Sequence, residues 1–322
     1  MPENKNHYDL IILGAGPAGM TAGVYAARKQ IDTLIITEDI GGQATWSSGI
    51  ENYLGFVYVT GAELVQKFEE HLRKFDITLI FSGVSRLAYN DGIYTVVTTN
   101  GDRYYSRAVI VATGKSPKLL NVPGEKEFTG KGVAYCSTCD GPMFEGMEVA
   151  VVGGGNSGLD SVVQLMKICP KVYLIEYAPK LRADEVMQKQ AIEHGNVEIM
   201  VSTAVREIKG DAFVNSIVVE DLTTNQQKEI PVKGVFVEVG LSPNTSFMGN
   251  LVDLNEYGEI PVDCAGRAGL PGLYAAGDVT NVPEKQIIIA AGDGAKSALG
   301  VYSYLVRLPN VAEDWGYNKT SV

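Results

Sequence analysis

Cys136 and Cys139 lie three positions apart in the stretch VAYCSTCDGPMF, residues 133 to 144, and Asp140 follows the second of them directly. A Cys-x-x-Cys pair serves as half of a zinc site, as a structural disulfide or as a redox dithiol. Structural zinc takes four ligands, and this chain offers few. Cys169 and Cys264 stand alone, and His7, His71 and His194 have no ligand spacing relative to one another. Ligand count therefore argues against zinc, and no metal site is expected. Cys169 and Cys264 are expected to be small, buried apolar side chains.

Two stretches could position such chemistry. YDLIILGAGPAGMTAGVYAARKQIDTLIITE runs from an apolar strand through a glycine turn and a small-residue helix to a second apolar strand that ends at an acid. MEVAVVGGGNSGLDSVVQLMKICPKVYLIEY does the same 139 positions later, so that Gly14, Gly16 and Gly19 correspond to Gly153, Gly155 and Gly158. Both carry the G-x-G-x-x-G pattern of a dinucleotide-binding βαβ unit. The first glycine allows a tight turn, the second lets a pyrophosphate approach the backbone, and the third lets helix and strand pack closely. The helix N-terminus then faces the anion.

Further along, GIYTVVTTNGDRYYSRAVIVATG predicts a hairpin through Asn100-Gly101 followed by a buried strand, and IVVEDLTTNQQKEIPVKGVFVEVG repeats that order. Candidate linkers are KSPKLLNVPGE after Gly114 and LSPNTSF after Gly240, both rich in proline and polar residues. The expected fold class is α/β, with two Rossmann-like dinucleotide-binding domains, the second inserted into the first. Residues 1–117 and 246–322 form the discontinuous outer domain, and 118–245 the inner one.

The 322 residues exceed one ordinary core, in keeping with two domains. A formal net charge of −11 argues against nucleic acid or an anionic membrane as partner. The uncharged segment Leu10 to Ala27 is long enough for a span, but its four glycines and Pro17 read better as a glycine turn. The start MPENKNHYDL has no apolar core or cleavage site of a secretory signal, so a cytoplasmic protein is expected. In that reducing compartment a purely structural disulfide at Cys136 and Cys139 is disfavoured.

Taken in order, GAGPAG (14–19), GGQ (41–43), IENYLGF (50–56), ATG (112–114), CSTCDG (136–141), GGGNSG (153–158) and YAAGDV (274–279) resemble the low-molecular-weight thioredoxin reductase family. IEYAPKLRADEVMQ and VPEKQIIIAAGDGAKSALGVYSYL are also similar to the reductase portion of the alkyl hydroperoxide reductase flavoprotein. The resemblance covers nearly the whole chain up to about Leu308. It implies FAD in the outer domain. Gly14, Gly16 and Gly19 would take the pyrophosphate, Glu38 or Asp39 the adenosine side, and Gly42, Gln43 and Asn52 the loops around the flavin. Asp278 would take the ribityl chain, with Gln286 nearby, although Asp278 also reads as a turn residue and Glu38 and Asp39 as solvated acids.

The resemblance further implies that the inner domain binds a nicotinamide cofactor and carries the redox pair. Cys139 would face the flavin, Cys136 would attack the partner's disulfide, and Asp140 would move the proton at the leaving thiol, unless it only caps a turn. The inner domain would rotate on the two linkers between flavin and partner. A homodimer is implied, with a thioredoxin, a glutaredoxin-like protein or a peroxiredoxin-linked carrier receiving the electrons. The flavoprotein's own thioredoxin-like module does not precede the flavin fingerprint here, so an external carrier is expected. Trp46, Trp315 and Tyr317 read as packing or a flexible end more than as a partner-binding feature.

The chain departs from the family at one point. NADPH-using members carry paired arginines at the end of the second inner strand, whereas this chain reads VYLIEYAPKLRADE. Glu176 stands 18 positions after Gly158, where a carboxylate accepts from a ribose 2′-hydroxyl and repels a 2′-phosphate. NADH is favoured over NADPH, with Lys180 and Arg182 as solvated charges or a partial rescue of NADPH. A nicotinamide-independent member drawing electrons from ferredoxin is the alternative; the intact GGGNSG argues against it, although Gly158 stands where the family commonly has alanine. A non-catalytic flavin redox sensor is the alternative of another class.

Overall fold

The computed structural model describes residues 6–47 and 49–307. The chain divides into two compact units. The first takes the described residues up to Gly42, Val65–Lys115 and those from Pro243 onward, and the second takes Gln43–Leu64 and Ser116–Ser242.

In the first unit, β1 (His7–Ala15), α1 (Pro17–Arg28) and β2 (Thr33–Ile40) form the first βαβ unit. Leu10 to Leu13 and Leu34 to Ile36 are essentially without solvent exposure, as expected for parallel strands covered on both faces. After α2 (Gly61–Leu72) come β3 (Thr78–Phe81), β4 (Val84–Asn90), β5 (Ile93–Thr98) and β6 (Arg103–Val111). The sheet order is β3-β2-β1-β6-β5-β4. β4, β5 and β6 pair antiparallel as a meander, while β6 also runs parallel beside β1. The β5–β6 turn passes through Gly101 at φ +91°, the hairpin that the sequence predicts.

A short strand, β7 (Lys115–Pro117), leads out of the first unit. The second unit then contains β8 (Val133–Ala134), α3 (Ser137–Asp140), β9 (Val149–Val152), α4 (Asn156–Leu165), β10 (Val172–Ile175), α5 (Glu185–His194) and β11 (Val197–Met200). It continues with β12 (Thr203–Gly210), β13 (Val214–Asp221), β14 (Gln227–Pro231) and β15 (Gly234–Val237). Its parallel sheet has the order β11-β10-β9-β15-β8, and β12-β13-β14 is a separate antiparallel sheet. In the first half β6 serves both sheet and meander, whereas here Pro231 ends β14 and β15 begins afresh at Gly234. A proline offers no ladder N–H, which accounts for the break.

The return strand β16 (Leu241–Pro243) pairs with β7, so the proline-rich linkers of the sequence form a two-stranded ladder. Finally β17 (Leu273–Ala275) runs parallel to β6, and α6 (Ile287–Arg307) packs against α1. One apolar cluster, including Ile11, Leu34, Tyr94, Val109 and Ile260, lies within the first unit. Two others, around Val152, Ile217 and Val235 and around Leu159, Leu174 and Phe236, lie within the second. No helix among the described residues is long and apolar enough to cross a membrane, and Leu10 to Ala27 is the first strand, turn and helix. Trp315 and Tyr317 lie outside the described residues.

Candidate redox and dinucleotide-binding sites

Cys136 and Cys139 are joined as a disulfide, with Cα atoms 5.4 Å apart. They sit at the start and within the single turn of α3, which follows β8 at the edge of the second parallel sheet. Cys136 is extended and caps the turn, its sulfur accepting from the Cys139 amide at 3.2 Å, and both sulfur-bearing residues are partly exposed. Asp140 closes the turn and is 5% exposed. Its amide donates to the Cys136 carbonyl at 3.0 Å. The lone cysteines differ from each other. Cys169 is buried in the α4 cluster and burial pushes its thiol up to about 11, as befits an inert core side chain. Cys264, expected to be buried, is exposed in the loop before β17. Flanking Asp263 and Gly266 form a tight turn stitched by Asp263, and the cysteine points outward from it.

The two fingerprints are built alike. A Cβ on Gly19 would lie 1.9 Å from the Gly14 carbonyl oxygen, and one on Gly158 would lie 1.8 Å from that of Gly153. The third glycine is therefore required for backbone to meet backbone in both halves, and at Gly158 an alanine has no room. The middle glycines are the opposite. A Cβ on Gly16 would meet only the Gly41 carbonyl at 3.9 Å, and one on Gly155 would meet nothing. Each is the N-terminal cap residue of its helix with no side chain capping it. Two open cradles with uncapped backbone N–H groups result, the donor set that a pyrophosphate takes.

The correspondence extends to an unexpected pair. Thr37 Oγ1 accepts from the Ala15 amide at 3.1 Å. At the matching positions of the second half, Glu176 Oε2 accepts from the Gly154 amide, and its Oε1 accepts from Ala178 at 2.7 Å. Glu176 is 4% exposed, so the side chain expected to meet a ribose also braces its own glycine loop. Each carboxylate oxygen retains a second lone-pair direction for a further donor. Arg182 reaches within 4.0 Å of Glu176, yet Arg182 and Lys180 are both exposed.

In the first unit, Asp278 lies in a 3-10 turn, Gly277–Val279, beside the fingerprint helix: a Cβ on Gly277 would be 3.1 Å from the Ala18 Cβ. Burial raises the Asp278 carboxyl, against the pull of Lys285 and Lys115, and Asp293 adds to the rise. Gln286 precedes α6, its carbonyl accepting from Ala290 at 2.9 Å. The structure thus gathers Gly14, Gly16, Gly19, Asp278 and the start of α6 in one unit. Glu38 and Asp39 are exposed at the end of β2, where Asp39 Oδ1 accepts from the Gly42 amide at 3.2 Å and holds that turn. Gln43 lies in the 3-10 turn Gly42–Trp46 and Asn52 in the loop beyond it, and both group with the second unit.

Sequence reasoning did not single out four acids and bases that the fold places near these sites. Glu259 is 8% exposed and lies 2.7 Å from Lys115 and 3.2 Å from Lys285. Burial alone would push its carboxyl up, but donation from Lys115, Asn255 and Lys285 holds it at about 2. Lys285 is drawn down by burial and then by the Lys115 charge. Such long-range pairs leave no local spacing to read. Glu238, directly after β15, is the fourth such group, and burial pushes it up to about 7 despite hydrogen bonds from Ser161 and Ser137.

The sequence matches the family model described as pyridine nucleotide-disulphide oxidoreductase over residues 8–294. A protein named NADH dehydrogenase from Bacillus subtilis is 43% identical over 94% of this chain, and an alkyl hydroperoxide reductase from Staphylococcus epidermidis is 41% identical over the same share. The chain spans 60% of the length of each. Thioredoxin reductase from Streptococcus pyogenes superposes with a TM-score of 0.89 at 36% identity, over 94% of this chain and 99% of that one. Thioredoxin reductase from Giardia duodenalis gives 0.86 at 30%, over 94% and 100%. With a paired Cys-x-x-Cys disulfide and two fingerprint loops on an α/β frame of two Rossmann-like domains, the chain belongs to the pyridine nucleotide-disulphide oxidoreductase family and has the thioredoxin reductase fold.

Proposed function

We propose that this protein is an FAD-dependent protein-disulfide reductase of thioredoxin reductase type, using NADH and reducing the disulfide of a thioredoxin-like, glutaredoxin-like or peroxiredoxin-linked carrier. The observation that carries the reading is the Cys136–Cys139 disulfide in the same unit as the second fingerprint. FAD, when bound, supplies a two-electron carrier between a nicotinamide and a disulfide. The residues present fit it: the open Gly16 cradle at an uncapped helix would hold the pyrophosphate, and Asp278, beside the same helix, the ribityl hydroxyls.

The protein's own groups do the rest. Two electrons and two protons open the Cys136–Cys139 bond to two thiols. The Cys136 thiolate attacks one sulfur of the carrier's disulfide and expels the other as a thiolate. Cys139 then attacks the mixed disulfide, restoring the internal bond and releasing the carrier as a dithiol. Asp140 supplies and recovers the proton at the sulfur that leaves. The FAD-binding domain on this reading is 1–117 with 246–322 and the inner domain 118–245, the β7 and β16 ladder is the hinge on which the inner one turns, and the protein works as a cytoplasmic homodimer.

NADH is favoured because the strand end that would meet a 2′-phosphate carries Glu176, Tyr177 and Ala178 in place of paired arginines. The relative named NADH dehydrogenase supports the same preference. The test is an anaerobic absorbance titration of the flavin-loaded protein with NADH and NADPH separately. Bleaching of the oxidised flavin band at low excess of NADH, with NADPH at least tenfold weaker, is the expected result. Bleaching only by dithionite or reduced ferredoxin would replace the NADH reading with the nicotinamide-independent one. Bleaching without turnover of any disulfide substrate would favour a redox sensor.

A further inference from the structure

Glu238 has no part in the relay above, yet it touches α3, which carries the redox pair, together with α4 and the end of β9. Its amide donates to the Val152 carbonyl at 2.8 Å, so it sits beside the end of β9 where the second fingerprint begins. Its Oε1 lies 2.8 Å from Ser161 Oγ on α4, and Ser161 Oγ lies 2.8 Å from Ser137 Oγ. The Ser137 backbone N–H also donates to the Glu238 carboxyl. Ser137 is the first residue of α3 and directly follows Cys136. Ser161 and Ser137 are 1% and 6% exposed, so the chain of hydroxyls runs through the interior.

A serine hydroxyl has one proton, and that fixes the direction of the chain. While Glu238 is ionised it can only accept, so Ser161 donates to it and Ser137 donates to Ser161. Once Glu238 is protonated it can donate to Ser161, which then turns its own proton to Ser137. No proton leaves the chain in either state, but the dipole beside Cys136 reverses and the charge-assisted hold on the Ser137 amide is lost. We propose that Glu238 is a positioning residue for the redox pair, holding the first residue of α3 through Ser161 and the Ser137 amide and setting the reactivity of Cys136 by its charge. The charged groups on the surrounding elements are Asp160 on α4 and Asp140 on α3, while β9 and β15 bring none. Burial, with Asp160 adding, places the change in charge near pH 7.

The inference rests on the redox reading of the pair, and the test separates the two. The flavin-loaded protein is reduced with dithiothreitol under argon, freed of reductant and pulsed with iodoacetamide between about pH 5 and pH 9. Alkylation of Cys136 and Cys139 is followed by peptide mass spectrometry. In the wild type the Cys136 rate is expected to show an inflection near pH 7 beyond that of a simple thiol. Glu238→Gln should remove the inflection and speed Cys136 alkylation at neutral pH about three- to tenfold, the gain in thiolate from a shift of about half to one pKa unit. Ser161→Ala, which keeps the charge but cuts the hydroxyl chain, should shrink the inflection. A wild-type profile of a simple thiol, or a Glu238→Gln profile like wild type, would overturn the proposal. Should Glu238→Gln fail to fold, the wild type and Ser161→Ala still decide it. Failure of dithiothreitol to release the two thiols would sink the redox reading itself, and the inference with it.

Discussion

A single carboxylate, Glu259, shows how residue chemistry is settled by distant chain. It is drawn between Lys115 and Lys285, which come from 144 and 26 positions away, and Asn255 Nδ2 donates to its second oxygen at 2.7 Å. Its carboxyl is held at about 2, below the ordinary value of an unfolded chain. A depressed folded value means the unfolded state binds the proton first as pH falls. The stabilisation is therefore complete above about pH 5 and is lost as pH falls toward 2. Glu259→Gln is expected to lower stability at neutral pH by about 3 kcal/mol, since it leaves two partly buried ammonium groups without their shared carboxylate, and to flatten the acid limb of the curve. Denaturant melts at neutral and acid pH measure both effects. Had the two proteins the same acid limb, the ion cluster would not be what holds this region at neutral pH.

At the scale of the element, the fingerprint loops separate two duties of glycine. Gly158→Ala would force a Cβ to 1.8 Å from a backbone oxygen that cannot swing aside, whereas Gly155→Ala would place one in open space at φ −88°, which alanine adopts freely. The expected outcome is a loss of about 2 kcal/mol of stability for Gly158→Ala. Gly155→Ala should keep the wild-type melting temperature while weakening NADH at least tenfold, as read by calorimetry. Equal melting losses in both variants would contradict this division. These loops were legible in the sequence because their constraint is local: glycine spacing, flanking apolar strands and the Asn100-Gly101 turn all act within a few residues. The exposure of Cys264 was not, because a cysteine carries no local signal of which way a turn faces it. Nor was the hydroxyl chain from Glu238 to Ser137, whose members come from three separate elements, or the grouping of Gln43 and Asn52 with the second unit.

For the molecule as a whole, the second unit carries apolar clusters of its own, all drawn from residues between Leu120 and Val237. A segment of about 120 residues with a complete parallel sheet and its own clusters is large enough to fold alone. The fragment 116–242 is expected to express as a cooperatively melting protein that retains the Cys136–Cys139 disulfide. Circular dichroism with a thiol count before and after reduction tests it. A fragment without a thermal transition would mean that residues 43–64 or the first unit supply part of its core.

The twin braces of the two loops carry a lesson for redesign. In the first half a neutral threonine holds the loop, and in the second a glutamate performs that task, the same side chain that the proposed NADH reading sets against the ribose. On that proposal, cofactor choice and loop integrity fall to one side chain at position 176. Any attempt to retune the preference by deleting that acid would dismantle the cradle as well, unless the replacement keeps an acceptor there. The threonine at position 37 is a ready pattern for one without charge.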